Sequence, residues 1–178
     1  MEIKKIVTGA LEENCYVLSK DGTCLIVDPG SDSKKIKELV GQDKILGVLV
    51  THSHFDHIGA LRDFLNMNRR MKIFKKSNLT DLKEIEIGSF KFIPIFTPGH
   101  SSDSVTFYFQ EEKVMFVGDF IFKDTVGRCD LPTGSSKDMD LSIAKIKKYE
   151  DDITVYTGHG EDTTLGREKE YNLYFLSK

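Results

Sequence analysis

Cysteine is scarce in this chain of 178 residues, and the three cysteines lack the spacing of a structural cross-link. Cys15, Cys24 and Cys129 are odd in number, and no two of them form a Cys-x-x-Cys pair. A disulfide framework uses an even set of cysteines, and a cysteine-only zinc site uses closely spaced pairs. The sequence therefore predicts free thiols.

Long hydrophobic runs and a strong net charge are also missing. No segment approaches the roughly 20 apolar residues of a membrane span, and residues 1–9 lack the basic and apolar regions of a signal peptide. Lys and Arg number 25 against 28 Asp and Glu, a net charge of −3 without blocks of like charge, which does not favour polyanion binding. We expect a cytoplasmic protein that acts on a small molecule, with no nucleic-acid or membrane partner and an unknown oligomeric state.

Flexible linkers and internal repeats are likewise missing from the sequence. A chain of 178 residues with 39% hydrophobic residues can bury a core without disulfides or a structural metal. We therefore expect residues 1–178 to form a single domain.

Short runs rich in β-branched and aromatic residues alternate with helical patterns. The predicted strands are Ile3–Thr8, Asn14–Ser19, Thr23–Asp28, Ile45–Thr51, Phe90–Thr97, Ser104–Phe109, Lys113–Val117 and Ile153–Thr157. Asp21-Gly22 predicts a hairpin turn. One helix is expected between a cap at Ser31 or Ser33 and Gly41, and others over Gly59–Arg70, Asp138–Tyr149 and Leu165–Leu176. Two β-rich halves, each with helices, indicate two packed sheets covered by helices, an α/β or α+β layered fold.

All five histidines fall in three short stretches, and each stretch follows a predicted strand. The stretches are His52-Ser53-His54-Phe55-Asp56-His57, then His100, then His159. Burying several imidazoles and a carboxylate together without a cation would carry a large desolvation cost. A single histidine such as His159 would be weak evidence alone, but the pattern as a whole predicts a metal site.

Asp119, which also ends a predicted strand, adds another oxygen ligand. Seven candidate ligands result, namely His52, His54, Asp56, His57, His100, Asp119 and His159. One tetrahedral ion cannot use seven ligands. We therefore expect two divalent ions that share a bridging carboxylate and a water.

These motifs resemble those of the metallo-β-lactamase-fold hydrolases across essentially the whole chain. The motifs are the run from His52 to His57, Thr97-Pro98-Gly99-His100, Gly118-Asp119 and Gly158-His159-Gly160, in this order. The glyoxalase II (hydroxyacylglutathione hydrolase) branch is resembled by Val27-Asp28-Pro29-Gly30, Gly127-Arg128-Cys129-Asp130, and Thr163-Thr164-Leu165-Gly166 with Glu168.

The resemblance implies a fold and a division of the ligands. The fold would be an αββα four-layer sandwich of two mixed β-sheets flanked by helices. One metal would be held by His52, His54 and His100, the other by Asp56, His57 and His159, with Asp119 bridging. Zinc is the expected metal, with iron or manganese as alternatives.

The ligand set and the resemblance together lead to a hypothesis about activity. We expect a metal-dependent hydrolase of small thioesters or related acyl compounds, in which hydroxide held by the metals attacks the acyl carbon. We expect no counterpart to the helical glutathione-binding C-terminal domain of full-length glyoxalase II, because only a short segment follows the last motif. Whether glutathione is part of the substrate therefore stays open.

Two further functions fit the same motifs. The pattern also resembles persulfide dioxygenases, in which the counterparts of His52, His100 and Asp119 hold a single iron. The third hypothesis is a non-catalytic metal-binding domain. Nuclease and β-lactamase activities rank lower, because the acidic balance lacks a phosphate-tracking patch and lactamases of this fold usually depart from the full ligand set.

Three more residues, and Asp56 in a second role, are candidates for roles near the metals. Asp56 could accept the proton of the nucleophile, and Arg128 could bind a substrate carboxylate or carbonyl as a bidentate donor or be a solvated loop residue. Asp28 could orient a ligand histidine through its second ring nitrogen or cap the following turn. Cys129 is expected to be an inert loop thiol.

Overall fold

The computed structural model describes residues 1–176 and contains two large β-sheets. The first sheet consists of β1 (Glu2–Thr8), β2 (Glu13–Lys20), β3 (Thr23–Val27), β4 (Lys44–Leu49) and β5 (Lys72–Phe74), adjacent in this order. The β1–β2 and β2–β3 pairs are antiparallel, and the β3–β4 and β4–β5 pairs are parallel. The same part of the chain supplies the helices α1 (Ser33–Val40), α2 (Phe55–Ile58) and α3 (Leu61–Met67).

The rest of the described chain forms the second sheet, a separate two-stranded hairpin, a 3₁₀ turn at Lys76–Asn78 and three helices. Its elements are β6 (Ile85–Ile87), β7 (Phe90–Phe96), β8 (Val105–Phe109), β9 (Val114–Gly118), a small hairpin of β10 (Ile121–Phe122) and β11 (Thr125–Val126), α4 (Ser136–Ile146), β12 (Thr154–Thr157), β13 (Thr163–Thr164), α5 (Leu165–Tyr171) and α6 (Leu173–Leu176). The strand order is β13-β12-β9-β8-β7-β6, in which β12 runs parallel to β9.

The hydrophobic core lies in three layers that follow from the strand alternation. Buried side chains from both sheets meet in a central cluster that includes Tyr16, Leu18, Phe92, Phe107 and Phe116. Helix residues cover the outer face of the first sheet, including Ile36 and Phe64. The outer face of the second sheet is covered by others, including Ile143 and Phe175. The predicted αββα sandwich of two mixed sheets is confirmed.

The turn between β2 and β3 has the conformation that its sequence predicts. Asp21 and Gly22 have φ angles of 52° and 70°, and a two-residue type I′ hairpin needs positive φ at both central positions. The predicted antiparallel strands at the start of the fold and the predicted turn at Asp21-Gly22 are therefore both confirmed.

The helix predicted over Gly59–Arg70 is wrong in its bounds, because only α3 (Leu61–Met67) forms within them and the separate short helix α2 ends just before them, at Ile58. The backbone nitrogen of Ala60 donates to the carbonyl of Pro29 at 3.0 Å rather than to the preceding helical turn. Gly59 allows this close approach, since a Cβ on it would lie 2.3 Å from the carbonyl oxygen of Gly30. Contact with the loop after β3 thus separates α2 from α3, which begins only at Leu61.

The predicted serine cap of α1 is also wrong. The N-cap residue is Asp32, in a left-handed conformation with φ of 53° and without a side-chain cap bond. The backbone nitrogen of Ser31 donates to the hydroxyl of Thr8, and the hydroxyl of Ser33 donates to Asp63. Both serines are thus engaged in tertiary contacts instead of capping.

The helix predicted over Asp138–Tyr149 begins and ends earlier, as α4. Ser135 caps it by accepting a hydrogen bond from the backbone nitrogen of Asp138. It ends at Ile146 because the nitrogens of Lys148 and Tyr149 bond carbonyls three residues back, in a tighter turn. Within residues 1–176, no helix has both the length and the apolar character needed to cross a bilayer.

The closing helix predicted over Leu165–Leu176 divides into α5 and α6 at Asn172. Asn172 is extended, with ψ of 116°, and its side-chain nitrogen donates to the carbonyl of Thr125 and to Glu168. Its side-chain oxygen accepts from the nitrogen of Tyr174. Side-chain bonds that compete with the helical backbone therefore break the helix at this residue.

Glu168 is the centre of a buried network, and its removal should destabilise the protein. Its carboxylate is fully buried and accepts from the Thr163 hydroxyl, an Arg167 guanidinium nitrogen, the Asp124 backbone nitrogen and the Asn172 amide. We expect Glu168→Ala to lower the free energy of unfolding by about 3 kcal/mol, because the buried donors of Thr163 and Asn172 would lose this acceptor and the Arg167 charge its partner. Urea unfolding measures the change.

The matched control lies two residues further along the same helix. Glu170 is exposed, so Glu170→Ala should change the free energy of unfolding by no more than about 0.5 kcal/mol. Equal effects of the two substitutions would contradict the network's importance.

Candidate metal centre

The predicted ligands lie at one edge of the sandwich, just past the ends of four strands. Residues 52–57 follow β4, His100 follows β7, Asp119 follows β9 and His159 follows β12. Since β7, β9 and β12 run in the same direction within the second sheet, their carboxyl ends meet at the same edge. The topology therefore converts three distant motifs into neighbours.

His52, His54 and His100 form the first group. The Nδ1 atom of His54 lies 3.0 Å from Nε2 of His52 and 2.9 Å from Nε2 of His100. Three nitrogen ligands of one zinc ion, each at about 2.0–2.1 Å, would lie about 3.4 Å from one another. Nδ1 of His54 is therefore as close to both other nitrogens as a shared cation requires, and all three nitrogens lie within 4.8 Å of one another.

Asp56, His57 and His159 form the second group. The Oδ2 atom of Asp56 lies 3.3 Å from Nε2 of His159 and 3.7 Å from Nε2 of His57. All three ligand atoms lie within 4.8 Å of one another.

Asp119 lies between the two groups. Its Oδ1 atom is 3.3 Å from Nε2 of His57 and 3.7 Å from Nε2 of His159, whereas its Oδ2 atom is 3.5 Å from Nε2 of His100. One carboxylate oxygen thus faces each group. The structure brings all seven predicted ligands together at one site.

The second ring nitrogen of four histidines is held by a protein oxygen. Nδ1 of His57 lies 2.9 Å from Oδ2 of Asp28, and Nδ1 of His52 lies 3.1 Å from the hydroxyl of Thr51. Nδ1 of His100 lies 2.8 Å from the Arg128 carbonyl, and Nδ1 of His159 lies 2.9 Å from the Leu11 carbonyl. Such contacts fix the tautomer that leaves Nε2 free for a metal.

The site carries unpaired polar atoms that fit a divalent cation. Among residues 1–176, Nε2 of His57 and Oδ1 of Asp119 are buried without a hydrogen-bond partner. An unsatisfied buried polar atom costs about 1–3 kcal/mol. The fold tolerates both atoms at a point where imidazole and carboxylate groups converge, which is the donor set that zinc and iron prefer.

The electrostatic environment favours the ligand forms of two side chains. Burial lowers the pKa of His52 well below its usual value, and the neighbouring His57 lowers it further, so this imidazole stays neutral. Burial raises the pKa of Asp119, but the adjacent His57 outweighs it and holds that pKa well below its usual range. A neutral imidazole and an ionised carboxylate are the metal-binding forms.

The interior behind His57 contains a second buried acid that the sequence analysis missed. Glu13 is fully buried and accepts a hydrogen bond from the Thr8 hydroxyl, and its Oε1 atom lies 3.9 Å from Nδ1 of His57. Burial raises the pKa of Glu13 to about 9, with a contribution from the nearby Asp28 carboxylate. Glu13 lies one residue before Asn14, where the sequence predicts that the strand begins, and no motif spacing identifies it as a site residue.

An open cleft of about 640 Å³ lies over the predicted ligands. Phe55, which is 74% exposed, lines it together with Leu11, Leu131 and Pro132. Arg128 also lines the cleft, and its guanidinium forms two bonds of 2.7 Å to the exposed carboxylate of Asp130. The walls of the cleft above the ligands are therefore largely apolar, with the guanidinium of Arg128 at one side.

Asp28 and Cys129 are placed differently with respect to the site. Asp28 contacts His57 and accepts hydrogen bonds from the backbone nitrogen and the hydroxyl of Thr51. Cys129 packs against the cluster on the outer face of the second sheet, and burial raises the pKa of its thiol. All three cysteines are free thiols, as predicted.

Comparisons with known proteins agree with this geometry. Residues 8–67 and 71–159 match the family model described as Metallo-beta-lactamase superfamily. The chain is 29% identical to hydroxyacylglutathione hydrolase GloC of Haemophilus influenzae, with 100% of each chain covered. The solved structure of the BLEG-1 B3 metallo-beta-lactamase superposes with a TM-score of 0.92 at 31% identity, covering 98% of this chain and 99% of that one. A di-iron-bound structure of TTHA1623 superposes with a TM-score of 0.83 at 27% identity, covering 96% and 99%.

Proposed function

Because the chain belongs to the metallo-β-lactamase superfamily of metal-dependent hydrolases, we propose that it hydrolyses small thioesters or related acyl compounds at a site for two divalent metal ions. The observation that carries the proposal is Asp119, whose two carboxylate oxygens face different ligand groups. A carboxylate in this position suits two adjacent ions. The name of the Haemophilus relative gives the acyl-thioester class as the first to test.

The proposed ligands divide as the geometry of the described atoms suggests. His52, His54 and His100 would hold one ion, and Asp56, His57 and His159 would hold the other, with Asp119 between them. The ions would supply Lewis-acid polarisation of the substrate carbonyl and a water with a pKa lowered to about 7. Zinc suits this set of nitrogen and oxygen ligands, and iron or manganese would also accept it.

The protein's own groups would orient the substrate and the proton. The apolar wall around Phe55 and Leu131 would hold a small acyl group and exclude water from one side of the cleft. Arg128 would bind a carboxylate or carbonyl of the substrate, for which its guanidinium must exchange one of the bonds to Asp130. Asp56, at the rim of the cleft, would also accept the proton of the attacking water.

The decisive experiment measures metal content and turnover on the same protein sample. We expect about two metal ions per chain by elemental analysis and hydrolysis of a small thioester, with His52→Ala losing most of the turnover because one ligand group is broken. Cys129→Ser is the control and should keep wild-type turnover, since its thiol packs away from the cleft. Turnover that His52→Ala leaves unchanged would refute the proposal.

The alternatives give different results in the same experiment. A β-lactam belongs in the substrate panel because a solved structure with 31% identity is a metallo-β-lactamase. One ferrous ion per chain and oxygen uptake with a persulfide would instead indicate the single-iron dioxygenase. Two bound ions without turnover on any member of the panel would indicate a non-catalytic metal-binding domain.

A further inference from the structure

The loop that carries His159 is held from the opposite sheet. Asn14 and Tyr16 lie two residues apart on β2, so their side chains share the face of the first sheet that turns towards the second. Both side chains contact the segment that runs from Thr157, the last residue of β12, to Asp162. The link joins positions more than 140 apart in sequence.

Asn14 contributes hydrogen bonds on both sides of His159. Its side-chain nitrogen donates to the carbonyl of Thr157 at 3.0 Å and to the carbonyl of Gly160 at 3.1 Å. The side chain is 1% exposed, and its oxygen has no hydrogen-bond partner within residues 1–176. The hydrogen bonds that the buried Asn14 side chain makes are therefore the two to the loop of His159.

Tyr16 and the backbone of the β1–β2 hairpin hold the same loop. The Tyr16 hydroxyl donates to the carbonyl of Thr157 at 2.7 Å, and its ring packs against Phe116 and Tyr156. The backbone nitrogen of Asn14 donates to the carbonyl of Gly158 at 2.8 Å. The carbonyl of Leu11, in the turn of the hairpin, lies 2.9 Å from Nδ1 of His159.

His159 differs from the more buried ligands in what holds it. The side chains of His52 and His57 are buried and are oriented by Thr51 and Asp28, next to their own loop. The His159 side chain is 27% exposed, and its Nε2 atom is 3.3 Å from Asp56. Its ring is held from the hairpin at Leu11, and its loop is also held within the second sheet by the bond from the Gly158 nitrogen to the Gly118 carbonyl.

We infer that Asn14 and Tyr16 are positioning residues for His159, and that they set the affinity for the ion in the group of Asp56, His57 and His159. This inference rests on the two-ion site of the proposed function. Removing a residue that orients a ligand typically lowers metal affinity about 10–100-fold. The affinity of the His52, His54 and His100 group should change little, because neither side chain contacts that group's loops.

Metal titration of the full chain tests the inference without any substrate. Metal-free wild-type protein, Asn14→Ala and Tyr16→Phe are titrated with Co²⁺ and with Zn²⁺, and stoichiometry, the two dissociation constants and the Co²⁺ absorption spectrum are recorded. We expect two ions in the wild type. In both variants one dissociation constant should rise about 10–100-fold while the other stays near the wild-type value.

The control variant removes a different link between the hairpin and the second half of the chain. Lys20 lies on the same face of β2, and its ammonium contacts Glu112 at 3.3 Å, far from His159. Lys20→Met should keep both wild-type dissociation constants. Equal weakening of both ions in the Asn14 and Tyr16 variants would indicate general loosening and overturn the inference.

The remaining outcomes also decide the matter. If Asn14→Ala does not fold, Tyr16→Phe decides alone, because phenylalanine keeps the ring packing and removes only the hydroxyl. Wild-type affinity for both ions in Tyr16→Phe would then overturn the inference, as would a wild type that binds one ion. A wild type that binds two ions without hydrolysing thioesters would refute the proposed activity and leave the inference standing.

Discussion

Asp119→Asn should reduce kcat/KM for thioester hydrolysis by about 10³-fold or more. The asparagine keeps the size of the side chain but removes the negative charge that faces Nε2 of His57, His100 and His159. Metal sites supply several kcal/mol of charge stabilisation in the transition state, and each 1.36 kcal/mol corresponds to about a tenfold change in rate. Steady-state kinetics at saturating metal, with metal content measured on the same sample, test the expectation.

The control for this substitution is a carboxylate outside the site. Asp152 lies in the segment after α4, is exposed and pairs with Lys113. Asp152→Asn should therefore leave kcat/KM near the wild-type value. Two bound ions and wild-type turnover in Asp119→Asn would show that no carboxylate between the groups is needed. A lost ion with lost turnover would locate the effect in binding, and two retained ions with lost turnover would locate it in the chemical step.

The seven candidate ligands could be predicted because their chemistry is visible in the residue types. Imidazoles and carboxylates collect at strand ends, and strand periodicity can be read without a structure. The antiparallel start of the fold could be predicted for a similar reason, since Asp21-Gly22 specifies a turn that few other dipeptides allow.

The orientation of the ligands could not be predicted in the same way. Two of the oxygens that hold Nδ1 atoms are backbone carbonyls, those of Leu11 and Arg128. Every residue has a carbonyl, so the residue type carries no signal. Arg128 illustrates the difference, because the sequence draws attention to its guanidinium while its carbonyl contacts His100.

Helix bounds failed where tertiary contacts compete with the local pattern. The apolar spacing of residues 59–70 is helical, but Ala60 donates its backbone nitrogen to Pro29, so the helix begins only at Leu61 and is separated from α2. Asn172 likewise uses its side chain to bond Thr125 and Glu168. Both breaks depend on partners that are distant in sequence, which periodicity does not describe.

Asp28→Asn should weaken metal binding about 10–100-fold through the tautomer of His57. Asp28 Oδ1 accepts from the backbone nitrogen of Thr51 at 2.7 Å, and Oδ2 accepts from the Thr51 hydroxyl at 2.5 Å and faces Nδ1 of His57 at 2.9 Å. An asparagine has only one acceptor oxygen. Since the Thr51 nitrogen can only donate, the amide oxygen must face it, and the NH₂ group must face His57.

An NH₂ group facing Nδ1 would force the proton of His57 onto Nε2, the nitrogen that faces Asp119 and Asp56. A protonated Nε2 cannot bind a metal. Asparagine is the appropriate substitution because residue 28 has φ of 47°, a left-handed conformation that asparagine tolerates and alanine does not favour. The expected effect therefore comes from the hydrogen bonds and not from backbone strain.

Competition titration with a chelator measures the affinity, and nitrogen chemical shifts of the histidine rings report the tautomer. Asp32 provides the control, because it is another aspartate with positive φ, at 53°, and its carboxylate accepts from the backbone nitrogen of Gly9 and pairs with Lys35. Asp32→Asn should keep wild-type affinity. If Asp28→Asn binds metal as tightly as the wild type with His57 still protonated on Nδ1, then the ring is oriented by packing alone and Asp28 only shapes the turn after β3.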